Sequence, residues 1–135
     1  MSKIIKCSDL KLKIYIEDTD FQGVVYHSNY LKYFERARSE FLSTNNVSHS
    51  ELKKLNLVFV VKKINLEYIA AAELGDHLIV KSSVEKSSNA RMIFYQKLVD
   101  LNNEEYVKGT IDICLINLVT KKPQRFPDDL LLIFK

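Results

Sequence analysis

The sequence is poor in several residue types, and each shortage excludes a class of protein. Its 135 residues include no tryptophan, two prolines, three glycines and two cysteines. Three dispersed glycines cannot build the GxGxxG or Walker loops that hold nucleotide phosphates. Cys7 and Cys114 lie far apart without a CxxC spacing, so neither a disulfide framework nor a zinc site is indicated. We therefore expect no metal site and two plain thiols.

Long apolar runs and blocks of like charge are missing as well. No stretch of about 18 apolar residues is present, and the first residues lack the features of a signal peptide, so we expect a cytoplasmic protein without a transmembrane segment. The 20 basic and 17 acidic residues are scattered, and the net charge of +3 suits a small anionic ligand as readily as nucleic acid. The composition, 47% hydrophobic and 27% charged, predicts one globular domain over residues 1–135.

The usual motifs of nucleophilic and metal-dependent hydrolases are also absent. There is no GxSxG to expose a serine and no HExxH to hold zinc. Cys114 sits in an alternating strand pattern without a nearby histidine, which argues against a thiolate nucleophile. Carboxylate and histidine chemistry remains.

The strand signals predict an antiparallel sheet of about five strands. Apolar and polar residues alternate from residue 10 to residue 16, which indicates a first strand. Beyond residue 56 the chain shows four more strand patterns joined by short turn segments, which favours hairpins. The predicted strands cover residues 10–16, 57–69, 77–86, 91–100 and 105–117.

One long helix is predicted between the first and second strands. Apolar residues recur at helical spacing from residue 29 to residue 42, which gives an amphipathic helix of about four turns. Ser28 or Asn29 can cap it, and residues 35–38 are expected on its solvated or intersubunit side. A capping box at residues 48–51 predicts a short second helix.

The order of these elements predicts an α+β fold in which the long helix covers one face of the sheet. Residues 57–61 are apolar on both faces of their strand, so a second subunit is expected to cover what the helix does not. A terminal helical turn is expected at residues 128–134. We expect a dimer or a larger assembly.

The densest polar segment, residues 17–30, lies between the first strand and the helix. A helix start presents unpaired N–H groups and a partial positive charge, which can polarise a carbonyl and hold the oxyanion formed from it. Gly23 would let this loop fold closely over the helix end, with Asp20 as general base or nucleophile and His27 polarising or donating a proton. Spacing alone leaves the alternative that these are turn and capping residues.

The same segment resembles the hotdog-fold acyl-CoA thioesterases of the 4-hydroxybenzoyl-CoA thioesterase family, and most closely the YbgC branch of that family. The resemblance rests on residues 15–20, 23–27, 29–31 and 35–38, and continues weakly through the later strands. It implies a hotdog fold, in which an antiparallel sheet wraps a central helix and pairs edge to edge with a second subunit. A homodimer or homotetramer is therefore expected.

The resemblance also implies roles for individual residues. The family's catalytic aspartate falls on Asp20, and the N–H that polarises the thioester carbonyl falls on His27, with Asp18 in support. Basic residues near the third turn are expected to meet the phosphates of coenzyme A. The expected substrate-binding residues are Gly23, Val25, Tyr26, Asn29, Lys86 and Arg91.

The implied reaction is hydrolysis of an acyl-CoA to a carboxylic acid and CoA, with CoA as part of the substrate and no other cofactor or nucleic-acid partner. Whether Asp20 activates water or attacks the carbonyl directly stays open. One alternative keeps the fold and changes the chemistry, as a dehydratase or an acyl-carrier-protein thioesterase. The other is a non-enzymatic acyl-thioester-binding or scaffold protein associated with the envelope Tol-Pal system.

Overall fold

The computed structural model describes residues 3–135 and contains one six-stranded antiparallel sheet. The strand order across the sheet is β1-β4-β5-β6-β3, and β2 also pairs with β4. The strands are β1 (Ile4–Lys6), β2 (Leu10–Lys13), β3 (Leu57–Tyr68), β4 (His77–Lys86), β5 (Arg91–Asp100) and β6 (Glu105–Asn117). The helices are α1 (Asn29–Thr44), α2 (His49–Lys54) and α3 (Asp128–Ile133), with a 3-10 turn at Ile16–Asp18. The predicted α+β class is confirmed.

The start of the sheet differs from the prediction in two ways. A sixth strand is present because β1 pairs with the far half of β4 while β2 pairs with its near half. A strand of three residues carries too little alternation to be recognised from sequence. β2 ends early because the Asp18 carboxylate accepts the Tyr15 N–H at 2.8 Å and turns the chain away. Ile16, which continues the apolar alternation, is 77% exposed.

Helix α1 packs one face against the sheet and forms the centre of the core. Phe34 is fully buried, and Phe41 meets Phe94 of β5 edge-on with ring centroids 5.9 Å apart. The expectation that residues 35–38 face solvent or a partner is wrong for Ala37 and Arg38, which are buried. Burial of these side chains fixes where the N-terminus of α1 lies.

The free edge of the sheet, strand β3, carries exposed apolar side chains. Val61, Ile64 and Tyr68 are 46%, 39% and 51% exposed. Ile64 pairs with the fully buried Ile111 of β6, so these two side chains point to the same face of the sheet as α1. The helix therefore leaves part of its own side of β3 uncovered.

Gly109 of β6 pairs with Leu66 of β3, and the backbone of β3 leaves no space for a side chain there. A Cβ atom at Gly109 would lie 1.9 Å from the backbone oxygen of Asn65 and 2.7 Å from a methyl carbon of Leu66. No non-glycine residue fits there without backbone movement.

We expect Gly109→Ala to lower the free energy of unfolding by about 1–3 kcal/mol, because β3 must move away from β6. Chemical denaturation measures this loss, and the neighbouring half-buried Thr110→Ala, which removes atoms, serves as the control. Equal stability of Gly109→Ala and the native protein would contradict the predicted close approach.

Candidate active site

The polar loop between the 3-10 turn and α1 is a tight hairpin. Thr19 pairs with Val25, and the Asp20 N–H donates to the Val24 oxygen at 2.9 Å. The turn closes through the Gly23 N–H, which donates to the Asp20 oxygen at 3.0 Å. Gly23 has a φ of +82°, a conformation that L side chains adopt only with strain. The positive φ, not a close contact, accounts for a glycine at this turn, because no heavy atom outside residues 22–24 lies within 4 Å of the place that a Cβ would take.

Asp20 begins the turn, and one of its carboxylate oxygens is already engaged. Oδ1 accepts the Gln22 N–H at 2.8 Å, which fixes the side chain against the turn. Within residues 3–135, Oδ2 accepts no hydrogen bond, and the side chain is half-buried. The neighbouring Phe21 is 99% exposed. Asp20 is thus held in place with one oxygen able to take a proton.

His27 lies just before α1 and is exposed. Its backbone oxygen accepts the Tyr68 hydroxyl at 3.3 Å, and its ring lies 4.5 Å from that of the exposed Tyr26. In the part of the chain that the structure describes, the His27 N–H donates to no acceptor. This N–H is therefore available at the positive end of the helix.

The predicted side-chain cap of α1 is wrong. Ser28 occupies the N-cap position without a side-chain hydrogen bond, and Asn29 is the first helical residue. The Asn29 amide instead donates to the Asp18 backbone oxygen at 2.8 Å, which also accepts the Tyr26 N–H at 3.1 Å. The Asp18 backbone oxygen is therefore a point where the loop is tied to the helix.

Residues 69–76, between β3 and β4, form hydrogen bonds to the loop. Sequence patterns did not indicate this contact. The Ala72 oxygen accepts the Val25 N–H at 2.8 Å, and the Ala72 N–H donates to the Tyr30 hydroxyl at 3.0 Å. The Leu74 N–H donates to the Gly23 oxygen at 3.1 Å. Val25 is 5% exposed, so its side chain packs in the core, and its expected contact with substrate stays a prediction.

A second group that sequence patterns missed is the Tyr33 hydroxyl. Tyr33 is buried, and its Oη is the fully buried side-chain polar atom that lacks a hydrogen bond among the described residues. Burial raises the pKa of Tyr33, and the nearby Asp18 carboxylate adds to the increase. No motif marks this residue, because a tyrosine at helical spacing is equally typical of a core.

The structure brings Asp20 and His27 into one loop but not into contact. Asp20 lies at the turn of the hairpin, whereas His27 follows Tyr26 at its base, and no hydrogen bond joins the two side chains. A carboxylate oxygen and a backbone N–H in one loop are the groups that addition of water to a carbonyl requires. Their pairing around a substrate stays a prediction.

Lys86 and Arg91 lie at the opposite end of the sheet from this loop. The loop adjoins the start of β4, where the Ile14 N–H donates to the Asp76 oxygen, and Lys86 ends that ten-residue strand, about 30 Å away. Arg91 forms an ion pair with Asp112, and Lys86 donates to Asn89 at 2.8 Å. One subunit therefore does not bring these basic residues to Asp20.

Residues 3–135 offer no metal site and no activated thiol. No group of three or more His, Cys, Asp or Glu side chains there could hold a metal ion. Both cysteines are buried free thiols, and burial raises the pKa of Cys7 to about 12. None of the helices within residues 3–135 could span a lipid bilayer.

Comparison with known proteins gives consistent matches over most of the chain. A family model described as the thioesterase-like superfamily matches residues 14–134. The chain is 40% identical over 119 residues to the acyl-CoA thioesterase YbgC of Haemophilus influenzae, covering 87% of each chain. It is 32% identical over 124 residues to the acyl-CoA thioester hydrolase YbgC of Escherichia coli, covering 92% of each. A probable thioesterase from Bartonella henselae matches with a TM-score of 0.81 and 33% identity, covering 89% of this chain and 98% of that one.

We expect Asn29→Ala to loosen the loop, because the Asp18 oxygen loses its bond to the helix. The free energy of unfolding should fall by about 0.5–1.5 kcal/mol, and hydrogen exchange at the Tyr26 N–H should accelerate. Asn45→Ala is the matched control, since the Asn45 amide makes an equivalent 2.8 Å bond to Phe41 at the other end of α1. Equal exchange at Tyr26 in both variants would contradict the role given to Asn29.

Proposed function

This chain belongs to the thioesterase-like superfamily and has the hotdog fold, and from that premise we propose that it hydrolyses acyl-CoA thioesters at the Asp20 hairpin. The proposal is carried by one observation. Within residues 3–135, a carboxylate oxygen of Asp20 and the His27 N–H in the same loop both lack protein hydrogen-bond partners. The two YbgC relatives, named as an acyl-CoA thioesterase and an acyl-CoA thioester hydrolase, support the choice of substrate.

In the proposed reaction the thioester oxygen accepts a hydrogen bond from the His27 N–H. Asp20 takes one proton from a water molecule as its oxygen adds to the carbonyl carbon. The C–S bond then breaks, and the proton held by Asp20 passes to the sulfur. The products are a carboxylic acid and free CoA, and water is the only co-reactant. Direct attack by Asp20, through an anhydride that water then opens, is the alternative route.

We further propose that the carrier is coenzyme A and that the reaction takes place in the cytoplasm. The free cysteines Cys7 and Cys114 suit a reducing compartment. The family resemblance is the sole support for two alternatives. These are an acyl carrier protein as the carrier and a link to the Tol-Pal system.

We propose that the working unit is at least a homodimer paired through β3. The uncovered apolar side chains of Val61, Ile64 and Tyr68 lie along the free edge of this strand, and pairing with a second copy would remove both the edge and the apolar surface from water. Antiparallel pairing would set the Tyr68 end of one copy beside the Leu57 end of the other.

Charge supports this arrangement, because the two ends of the sheet differ in sign. The loop end carries Glu17, Asp18, Asp20, Glu73, Asp76 and Asp100, beside the basic Lys13. The opposite end carries Lys3, Lys6, Lys86, Arg91, Lys121 and Lys122, beside the acidic Glu85 and Asp112. Antiparallel copies would bring opposite ends together, so basic residues for the CoA phosphates would come from the second copy.

The main test of the function is thiol release from a panel of acyl-CoAs. We expect Asp20→Asn to lower kcat/KM by about 10²–10⁴-fold, the range for loss of a general base, while folding is retained. Asp9→Asn, at an exposed aspartate outside the loop, should keep full activity.

Equal thiol release by the native protein and Asp20→Asn would contradict catalysis by this residue. If neither released thiol and both bound acyl-CoA, a binding or scaffold role would replace the proposed one. Hydrolysis of acyl carrier protein thioesters in preference to acyl-CoAs would overturn the choice of carrier.

We expect Ile64→Lys to reduce the mass in solution to that of one chain, because the new charge would be buried when two copies pair. Light scattering coupled to gel filtration measures the mass, and Leu101→Lys, at a residue 72% exposed in a turn, is the control. If Ile64→Lys had the same mass in solution as the unmodified protein, pairing through this edge would be contradicted.

A further inference from the structure

Arg38 is a buried cation without an anionic partner among residues 3–135. Its side chain on α1 is 9% exposed, and no carboxylate lies within ion-pair distance of it. Its single hydrogen bond runs from Nη1 to the Gln96 Oε1 at 3.0 Å. Buried guanidinium groups are normally paired with a negative charge.

Gln96 fixes the orientation of this guanidinium. The Gln96 Nε2 donates to the Phe34 backbone oxygen at 2.9 Å and to the Ser82 hydroxyl at 3.0 Å. Because both amide protons are used there, Oε1 must face Arg38. The cation is therefore held in one position before any ligand arrives.

The remaining N–H groups of Arg38 open onto a small cleft between α1, α2 and β3. Tyr33 Oη is the only fully buried side-chain polar atom of the described residues that lacks a hydrogen bond, so solvent reaches the other Arg38 nitrogen atoms. The cleft has a volume of about 100 Å³, room for roughly three water-sized groups at about 30 Å³ each. Its floor is apolar, with Phe59, Val61 and Phe94.

Two other titratable residues, Glu35 and His49, lie at the exposed rim of the cleft. The Glu35 carboxylate accepts the Ser39 hydroxyl at 2.9 Å. Burial lowers the pKa of Arg38 to about 10, although Glu35 acts in the opposite direction. Burial of the guanidinium therefore outweighs the favourable effect of Glu35 on its charged form.

The position of the cleft links it to the reaction, and this step rests on the proposed function. Within one chain Arg38 lies about 14 Å along α1 from Asn29, at about 1.5 Å per residue. Phe59 and Val61 place the cleft beside the first half of β3, whereas Tyr68, at the end of β3, donates to the His27 oxygen. Antiparallel pairing of two β3 strands would therefore set the cleft of one copy beside the His27 loop of the other.

We propose that the Arg38 cleft binds a carboxylate. This carboxylate is the far end of a short acyl group, and the thioester at the other end of that group lies at the His27 loop of a second copy. The apolar floor takes the methylene groups, and the oriented guanidinium donates two hydrogen bonds to the carboxylate. The substrate class is a half-thioester of a short dicarboxylic acid.

The kinetic test compares succinyl-CoA with butyryl-CoA, which differ in a terminal carboxylate against a methyl group. We expect Arg38→Met to lower the ratio of their kcat/KM values by about 10- to 100-fold, the range for one hydrogen bond to a charged group. Arg36→Met is the matched control, since Arg36 is exposed on the same helix and should leave the ratio unchanged. An unchanged ratio in Arg38→Met with thiol release retained would overturn the proposal.

Arg38→Lys covers the case in which Arg38→Met does not fold, because lysine still offers a donor to Gln96. It should fold and keep hydrolysis of butyryl-CoA while losing most of the preference for succinyl-CoA, since an ammonium lacks the planar fork. Full retention of the preference in this variant would overturn the role given to the guanidinium.

A binding test separates failure of this inference from failure of the proposed function. Succinate is titrated into the native protein, and the Nε–Hε signals of the arginines are followed by NMR, with succinamide as the uncharged control. Saturable movement of the Arg38 signal, with Arg36 unmoved, would support a carboxylate site even if no thioester were hydrolysed. If no thioester were hydrolysed and the Arg38 signal did not move, both proposals would fail.

Discussion

The structure depends on the packing of α1 against the sheet. Phe34 and Phe41 are buried on β4 and β5, and each such side chain contributes about 1.5–3 kcal/mol by leaving water. This burial fixes the axis of the helix and hence the place where its first turn ends. The His27 N–H and the hairpin that carries Asp20 take their positions from it. The chemistry of the loop is therefore set by the core beneath it.

Hydrogen bonds tie the loop to two other segments of the chain. Asp18 joins it to the start of the helix, and Ala72 joins it to the connection after β3. Only a few donors and acceptors are then left without partners, and these are the groups assigned to the reaction. Gly23, with its φ of +82°, closes the turn between them.

One subunit is an incomplete unit for the proposed chemistry. The acidic hairpin, the basic end of the sheet and the Arg38 cleft are separated along a single chain, and the apolar edge of β3 is uncovered. Pairing with an antiparallel second copy would cover the apolar edge. It would also bring the acidic hairpin of one copy close to the basic end and the Arg38 cleft of the other. Arg38 fits this view, because a buried charge costs stability unless it is paired, and its bond within residues 3–135 is to the neutral Gln96.

Sequence by itself determined the long elements and the position of the polar loop. β4, β5 and β6 have the predicted bounds because alternation over many residues leaves one register, and the family was evident from the motif around Asp20. Only tertiary structure decided that Arg38 is buried, that Val25 packs in the core, and that Lys86 lies far from Asp20. These facts depend on which strands and loops meet in space, and local periodicity carries no record of such long-range contacts.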